Sequence, residues 1–190
     1  MRDERLEKLA EVLVNYSTNV KAGDKVAISA EDCALPFIKA VARAAVAKGA
    51  LVEYYVDIPD VDTTILKNGT VEQYARPNIR FGACASSDVW ISAWGSENTK
   101  TMQSIPAERL KERRLANKDN RKIYSDRMGT GELRWCGTQF PTNGDAQNAG
   151  MSLEEYEDFV FVSQRRGKGL SRIMIFHMIK ELAQTAGIIK

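Results

Sequence analysis

The side chains in this sequence that could hold a catalytic metal ion are few and scattered. The 190-residue chain contains one histidine, His177, and it lies in the apolar segment IMIFHMI with no carboxylate at ligand spacing. A two-ion site needs several imidazoles and carboxylates that converge on the ions, so His177 is better explained as a helix-face or packed residue. No run of acids is interpreted as an all-carboxylate magnesium site. We therefore predict no catalytic, cofactor-binding or metal-binding residue in this chain.

The three cysteines, Cys33, Cys84 and Cys136, do not form a recognisable functional set. Their number is odd and none are in C-x-x-C spacing, so neither a disulfide framework nor a zinc knuckle is indicated. A catalytic thiol is the less favoured alternative, because a nucleophilic cysteine needs a histidine or another activating group beside it. We interpret all three as reduced, buried thiols of a cytosolic protein.

A pair of carboxylates for acid and base catalysis is also not indicated by the acidic segment at 151–158. Its sequence, MSLEEYED, contains a capping box, in which Ser152 and Glu155 each bond to the other's backbone N–H. This pattern predicts a helix that begins at Ser152. The acids of its first turns are then expected to form a solvated helix face, and their negative charges stabilise the positive N-terminal end of the helix dipole.

Binding of nucleotides or nucleic acids is disfavoured by the charge pattern. The predicted loop after the first strand, residues 31–34, is acidic and lacks glycine, so it would repel a pyrophosphate. Residues 165–169 read RRGKG and lack the spacing of a phosphate-binding loop. Residues 164–190 carry six Lys/Arg and one acid, which leaves residues 1–163 with a net charge of −3. Only this tail could therefore attract nucleic acid. The predicted helix at 106–127 is also disfavoured as a nucleic-acid site, because acids are interspersed among its basic residues.

The elements that must position any site follow from hydrophobic periodicity. An amphipathic helix at 3–18 is followed by an alternating strand at 25–30, and Asp32 is a candidate N-cap for a helix that ends at Gly49. Further along the chain the predicted elements are a strand at 51–56, weaker helical segments at 61–86 interrupted by Gly69 and Pro77, a buried strand at 89–94, one long polar helix at 106–127 and a strand at 133–138. Strand, helix and strand within 25–56 make a βαβ unit with parallel strands.

This alternation predicts an α/β fold: a Rossmann-like, three-layer domain with a mainly parallel sheet. We place this domain at 1–163 and a basic linker with an apolar, helical appendage at 164–190. The charged residues 1–8 lack the apolar run of a signal peptide, and the longest apolar stretch before the C-terminus is too short to span a membrane, so a cytoplasmic location is expected.

The most specific stretch of the sequence lies between residues 134 and 160. It reads RWCGT at 134–138, FPT at 140–142, AQNAG at 146–150 and MSLEEYEDFV at 151–160. Together with NVKAGDKV at 19–26 and KGA at 48–50, it resembles the N-terminal half of metal-dependent aminopeptidases of the aminopeptidase T family. The likeness covers about residues 5–162, departs from the family pattern in the polar residues at 143–145, and ends abruptly after Phe161.

This resemblance implies an exopeptidase that removes N-terminal amino acids from peptides with the help of two divalent ions of the zinc or cobalt type. In the family the ions are bound by a C-terminal domain, none of whose ligands can be matched to a position here. The chain is therefore interpreted as a truncated N-terminal domain that is inactive alone. A peptide substrate is expected only in a full-length relative, where this domain would help to shape access to the metals and support a possible homodimer.

The alternative function is a non-catalytic interaction or regulatory module that uses the apolar tail. Residues 170–182 could form a basic amphipathic helix that lies on an anionic membrane. Packing of this helix on its own domain or on a partner subunit is favoured over membrane contact, and residues 165–169 then serve as a flexible basic linker.

Overall fold

A four-stranded, entirely parallel sheet lies at the centre of residues 3–165, which are the part of the chain described by the computed structural model. The strands are β1 (Lys25–Glu31), β2 (Leu51–Asp57), β3 (Val89–Trp94) and β4 (Arg134–Gln139). Their order is β2-β1-β3-β4, and each neighbouring pair is parallel. The predicted βαβ unit is confirmed, and the order is that of a doubly wound sheet.

The helices alternate with the strands along the chain. In the described residues they are α1 (Glu4–Glu11), which continues as a π-helical turn (Val12–Ser17), α2 (Leu35–Ala47), α3 (Pro59–Asn68), α4 (Val71–Tyr74), α5 (Ile79–Ser86), α6 (Ala107–Ala116), α7 (Lys118–Thr130), α8 (Asn143–Asn148) and α9 (Leu153–Arg165). Short 3₁₀ turns precede α2 (Asp32–Ala34) and α6 (Thr101–Ser104).

Helices cover the sheet on both faces, which gives three layers. Side chains of α1, α2 and α9 share one buried core with alternate residues of β1 and β3, among them Ile28 and Ile91. The opposite face packs against α5 and α7 through aromatic side chains. Arg127 of α7 joins these two helices to the sheet, because its Nη1 donates to the carbonyl oxygens of Ala85 and Ser87 at 2.8 and 2.7 Å. The predicted three-layer α/β fold is thus confirmed.

Two local predictions are wrong for reasons that the structure shows. Asp32 does not cap α2: its carboxylate accepts from the N–H of Cys33, and a 3₁₀ turn intervenes before the helix begins at Leu35. The predicted single helix at 106–127 is two helices that meet at Asn117. The buried Asn117 side chain accepts from the backbone N–H of Asn78 at 2.7 Å and donates to the carbonyl of Arg113, so it serves tertiary contacts at the break.

The capping box at the start of α9 is confirmed. Glu155 N–H donates to Ser152 Oγ at 3.2 Å, and Ser152 N–H donates to a Glu155 carboxylate oxygen at 2.8 Å. The predicted boundary at 163/164 stays a prediction. His177, the helix at 170–182 and the linker at 165–169 beyond Arg165 lie outside the described residues.

Removing core volume at Ile28 should destabilise the domain strongly. Ile28 lies on β1 between α2 and the neighbouring strands and is 0% exposed. Ile28→Ala should lower the free energy of unfolding by about 2–5 kcal/mol, because the lost apolar contacts leave a cavity. Urea unfolding followed by circular dichroism measures the change. Ile79→Ala, at a position 83% exposed, is the matched control and should change stability by less than about 0.5 kcal/mol. Equal effects of the two substitutions would contradict this core assignment.

Candidate functional site

A crevice opens at the carboxyl ends of the strands, where the chain direction across the sheet reverses. The connection from β1 leads to β2 on one side, whereas β3 lies on the other side of β1. Parallel α/β sheets bind ligands at such a switch point. A cavity of about 430 Å³ lies there. The side chains that define this strand-end crevice are Ser29, Glu31, Ser92, Trp94, Arg121 and Trp135.

Small residues lie in one row across the sheet at the crevice, and two of them, Ser29 and Ser92, form its floor. Ser29 of β1 is in register with Ser92 of β3, and Ser92 is in register with Gly137 of β4. A Cβ atom on Gly137 would lie 2.5 Å from Cη2 of Trp94, so the indole of Trp94 lies against this glycine. Trp94 is nevertheless 54% exposed. The crevice therefore has an open aromatic wall that rests on a position where a larger side chain would collide with it.

A packed aromatic cluster closes the other end of the crevice. Phe81, Trp90, Tyr124 and Trp135 form a chain of edge-to-face pairs with ring centroids 5.6, 5.5 and 6.3 Å apart. Trp90 Nε1 donates to Ser29 Oγ at 2.8 Å. Edge-to-face pairs stabilise beyond their buried area, so this wall is held rigidly by α5 and α7.

Glu31 is a half-buried carboxylate with no cationic partner among residues 3–165. Burial raises its pKa, the nearby carboxylates of Asp32 and Asp145 raise it further, and a hydrogen bond from Ser96 opposes the shift. Negative potential is therefore concentrated at the end of β1. A cation bound at this point would offset the repulsion between these carboxylates.

Two arginine side chains also line the crevice. Arg80 forms an ion pair with Asp57 at the end of β2, and burial lowers the pKa of Arg80 with a further contribution from the charge of Arg113. Arg121, near the start of α7, is exposed and has no hydrogen-bonded or ion-paired side-chain partner within the described part of the chain. The crevice thus has an acidic end at Glu31 and a free guanidinium at Arg121.

One carboxylate fixes the loops that follow β3 and β4. An oxygen of Asp145 accepts from the backbone N–H of Ser96 at 3.1 Å and from Gln139 Nε2 at 2.9 Å. Thr142 Oγ1 lies 2.9 Å from the same oxygen and 2.7 Å from the carbonyl of Ser96. Sequence reasoning assigned no role to the polar residues 143–145, although the T-x-x-D spacing of Thr142 and Asp145 is the N-terminal signature of a helix.

The cysteines are free thiols whose protonated form is favoured. Burial raises the pKa of Cys33 to about 11, with added repulsion from Glu31 and Glu97, and burial also raises the pKa of Cys84 to about 11. The prediction that all three are buried holds for Cys84, whereas Cys33 and Cys136 are half-buried. A thiolate nucleophile is disfavoured in these surroundings.

The two ions that the family implies do not fit the residues of this part of the chain. Within residues 3–165 no three His, Cys, Asp or Glu side chains lie close enough together to hold a metal ion. The sequence does contain one D-x-D pattern, Asp60-Val61-Asp62. However, Asp62 is ion-paired with Arg113 at 2.5 Å and Asp60 is exposed at the start of α3. No chemical step is therefore derived through a metal in this region.

A helix long and apolar enough to cross a bilayer is not found among residues 3–165. The predicted membrane and partner contacts of the tail concern residues outside this range.

The sheet order and the position of the crevice define a doubly wound α/β domain with a ligand-sized cleft at its switch point. Residues 2–168, which make up most of the sequence, match the family of thermophilic metalloproteases (M29). The chain belongs to this family, and the predicted resemblance to aminopeptidase T enzymes is confirmed. No curated protein matches the sequence.

A solved structure with the same fold is wild-type AmpT from Thermus thermophilus. The two chains superpose with a TM-score of 0.70 at 20% sequence identity. The match covers 84% of this chain and 42% of the AmpT chain. At this identity the similarity shows the fold, and the chain corresponds to less than half of that enzyme.

The raised pKa of Glu31 should make the Glu31→Gln variant more stable than the wild type at neutral pH. As pH rises, the unfolded chain releases the Glu31 proton first, so the wild type loses stability between the ordinary pKa of Glu, about 4.3, and the higher folded value. The advantage of Glu31→Gln should be present at about pH 7 and shrink toward about pH 4. Urea unfolding across this pH range measures it.

Glu53→Gln, on the exposed part of β2, controls for the loss of one negative charge. A stability gain of Glu31→Gln that is the same at both ends of the pH range would contradict the assigned environment of Glu31.

Proposed function

We propose that this chain acts in the removal of N-terminal amino acids from peptides, as the α/β domain of a metallo-aminopeptidase that does not hydrolyse peptides by itself. Membership of the thermophilic metalloprotease (M29) family supports the reaction class. The shared fold with AmpT, over 42% of that chain, supports the correspondence with one portion of such an enzyme.

The observation that carries this proposal is the contrast between a formed crevice and a missing ligand set. Hydrolysis with two ions needs carboxylates and imidazoles that converge on them. In residues 3–165 the cavity is present, but no such group of side chains accompanies it. The zinc- or cobalt-type ions and the attacking water would then be held by a C-terminal domain, and this domain would shape the access of the peptide to them.

The sheet edge formed by β2 supports a second element of the proposal, a homodimer. β2 lies at one end of the sheet and has no strand on its outer side among the described residues. Leu51 and Tyr54 of β2 are 60% and 65% exposed, and Val46 at the end of α2 is 61% exposed. An open edge with exposed apolar side chains is a surface that pairing with a second copy would cover.

A regulatory module that works through the tail is the alternative. It depends on residues 166–190, so none of the described contacts favours it. A cytoplasmic location is proposed from the three free thiols.

The purified chain should release no N-terminal amino acid from an unstructured peptide in the presence of zinc or cobalt salts. It should also retain less than one ion per chain after dialysis, because the residues described here offer no shared ligands. Amine release and elemental analysis measure the two outcomes. AmpT from Thermus thermophilus serves as the positive control. Turnover at enzyme-like rates, or two tightly held ions, would overturn the proposal.

The proposed dimer should dissociate when charge is placed on the β2 edge. Sedimentation at several concentrations should show a dimer for the wild type and a monomer for Leu51→Lys, because association would bury an uncompensated charge. Ile79→Lys places the same charge at another exposed position, on α5, and should leave the dimer intact. If the wild type is monomeric at all concentrations, the proposed dimer is refuted, and the proposal about peptide hydrolysis is unaffected.

A further inference from the structure

We propose that the strand-end crevice binds a short zwitterionic peptide, with the ligand ammonium at Glu31, its carboxylate at Arg121 and a side chain against Trp94. This inference deepens the proposed function and rests on it, since such peptides are substrates or products of an aminopeptidase. It assigns a binding role to the α/β domain itself, apart from any metal site.

The acidic end selects a cation that is not a metal ion. Glu31 lies among the carboxylates of Asp32 and Asp145, and its described surroundings contain a hydroxyl from Ser96 but no arginine or lysine partner. The same region has no three ligands that could share a metal ion. An ammonium group needs only one carboxylate and a few hydrogen-bond acceptors, so it fits this environment.

Arg121 supplies the complementary charge in the same cavity. Asp57 and Arg80 line the crevice as a pair that neutralises itself, which leaves Glu31 and Arg121 as the charges without a partner. A guanidinium binds a carboxylate through two parallel hydrogen bonds. Because both residues line one cavity, a single ligand with charges of opposite sign satisfies both ends.

The size and walls of the crevice fit a peptide of about two residues. Its volume of about 430 Å³ lies in the range of small-molecule sites, roughly 300–1,000 Å³. The side chains of Ser29 and Ser92 are small and leave room for a peptide backbone. The indole of Trp94 covers Gly137, and its exposed part offers a face for an apolar or aromatic side chain. A nucleotide would also stack on Trp94, but its phosphates would meet Glu31 and Asp32 at the strand end.

Calorimetric titration of the metal-free chain with the dipeptide Ala-Phe tests the proposal. Saturable binding is expected, and N-acetyl-Ala-Phe and Ala-Phe-amide should each bind about tenfold more weakly, because each loses one of the two charge-assisted interactions. Glu31→Gln and Arg121→Gln should likewise weaken Ala-Phe about tenfold. Combining a protein variant with a modified ligand tests each contact directly. Acetylation of the dipeptide should cost little further affinity in Glu31→Gln, and amidation should cost little further affinity in Arg121→Gln.

Two exposed residues outside the crevice provide controls of matched charge. Asp60→Asn and Arg114→Gln change the net charge in the same way and should bind Ala-Phe as the wild type does. Absence of saturable binding, equal weakening by these controls, or acetylation costs that are unchanged in Glu31→Gln would each overturn the proposal. Adenosine monophosphate, titrated in parallel, should not bind; if it binds in place of the dipeptide, the crevice is a nucleotide site.

The failure of this inference and that of the proposed function are separable. If Ala-Phe does not bind and the chain also releases no amino acid, the crevice proposal fails alone. If the chain hydrolyses peptides, the proposed function fails whatever the crevice binds.

Discussion

Parallel pairing of the four strands is the constraint on which the rest of this structure depends. Parallel neighbours require crossover connections, and these connections place helices over both faces of the sheet. The strands β1 and β3 can therefore be apolar on the side of α1 and α2, and Trp90 of β3 can pack against α5 and α7 on the other side. The same pairing brings all four carboxyl ends to one edge, so polar residues distant in sequence meet there.

Local sequence patterns predict the elements of this fold well where one physical effect dominates. Strand β1, the apolar run of β3 and the reciprocal bonds of Ser152 and Glu155 depend on near neighbours, and all are found. The burial of β1 does not alternate as predicted: residues 26–30 are all buried, because helices cover both faces of the sheet. The break at Asn117 could not be predicted, because its side chain is recruited by Asn78, which is far away in sequence. Asp32 fails as a cap for a similar reason: the chain leaves β1 through a tight turn, and the geometry of that turn is set by the sheet.

The candidate site is less visible in the sequence than the fold. Ser29, Ser92 and Gly137 form one row only because of strand register, and the position of the Trp94 indole requires that Gly137 has no side chain. The sequence predicts that the acidic loop after β1 repels phosphate, and this stays a prediction. The role of Asp145 was missed, because its partners follow two different strands.

The bonds of Asp145 have a kinetic consequence. Because one carboxylate accepts from Ser96 after β3 and from Gln139 at the end of β4, the two loops behave as a single pre-organised rim. A molecule that enters the crevice meets walls already in place, so little conformational entropy is lost on association. Association of the proposed ligand would then be limited by diffusion and orientation, with no loop closure to slow it.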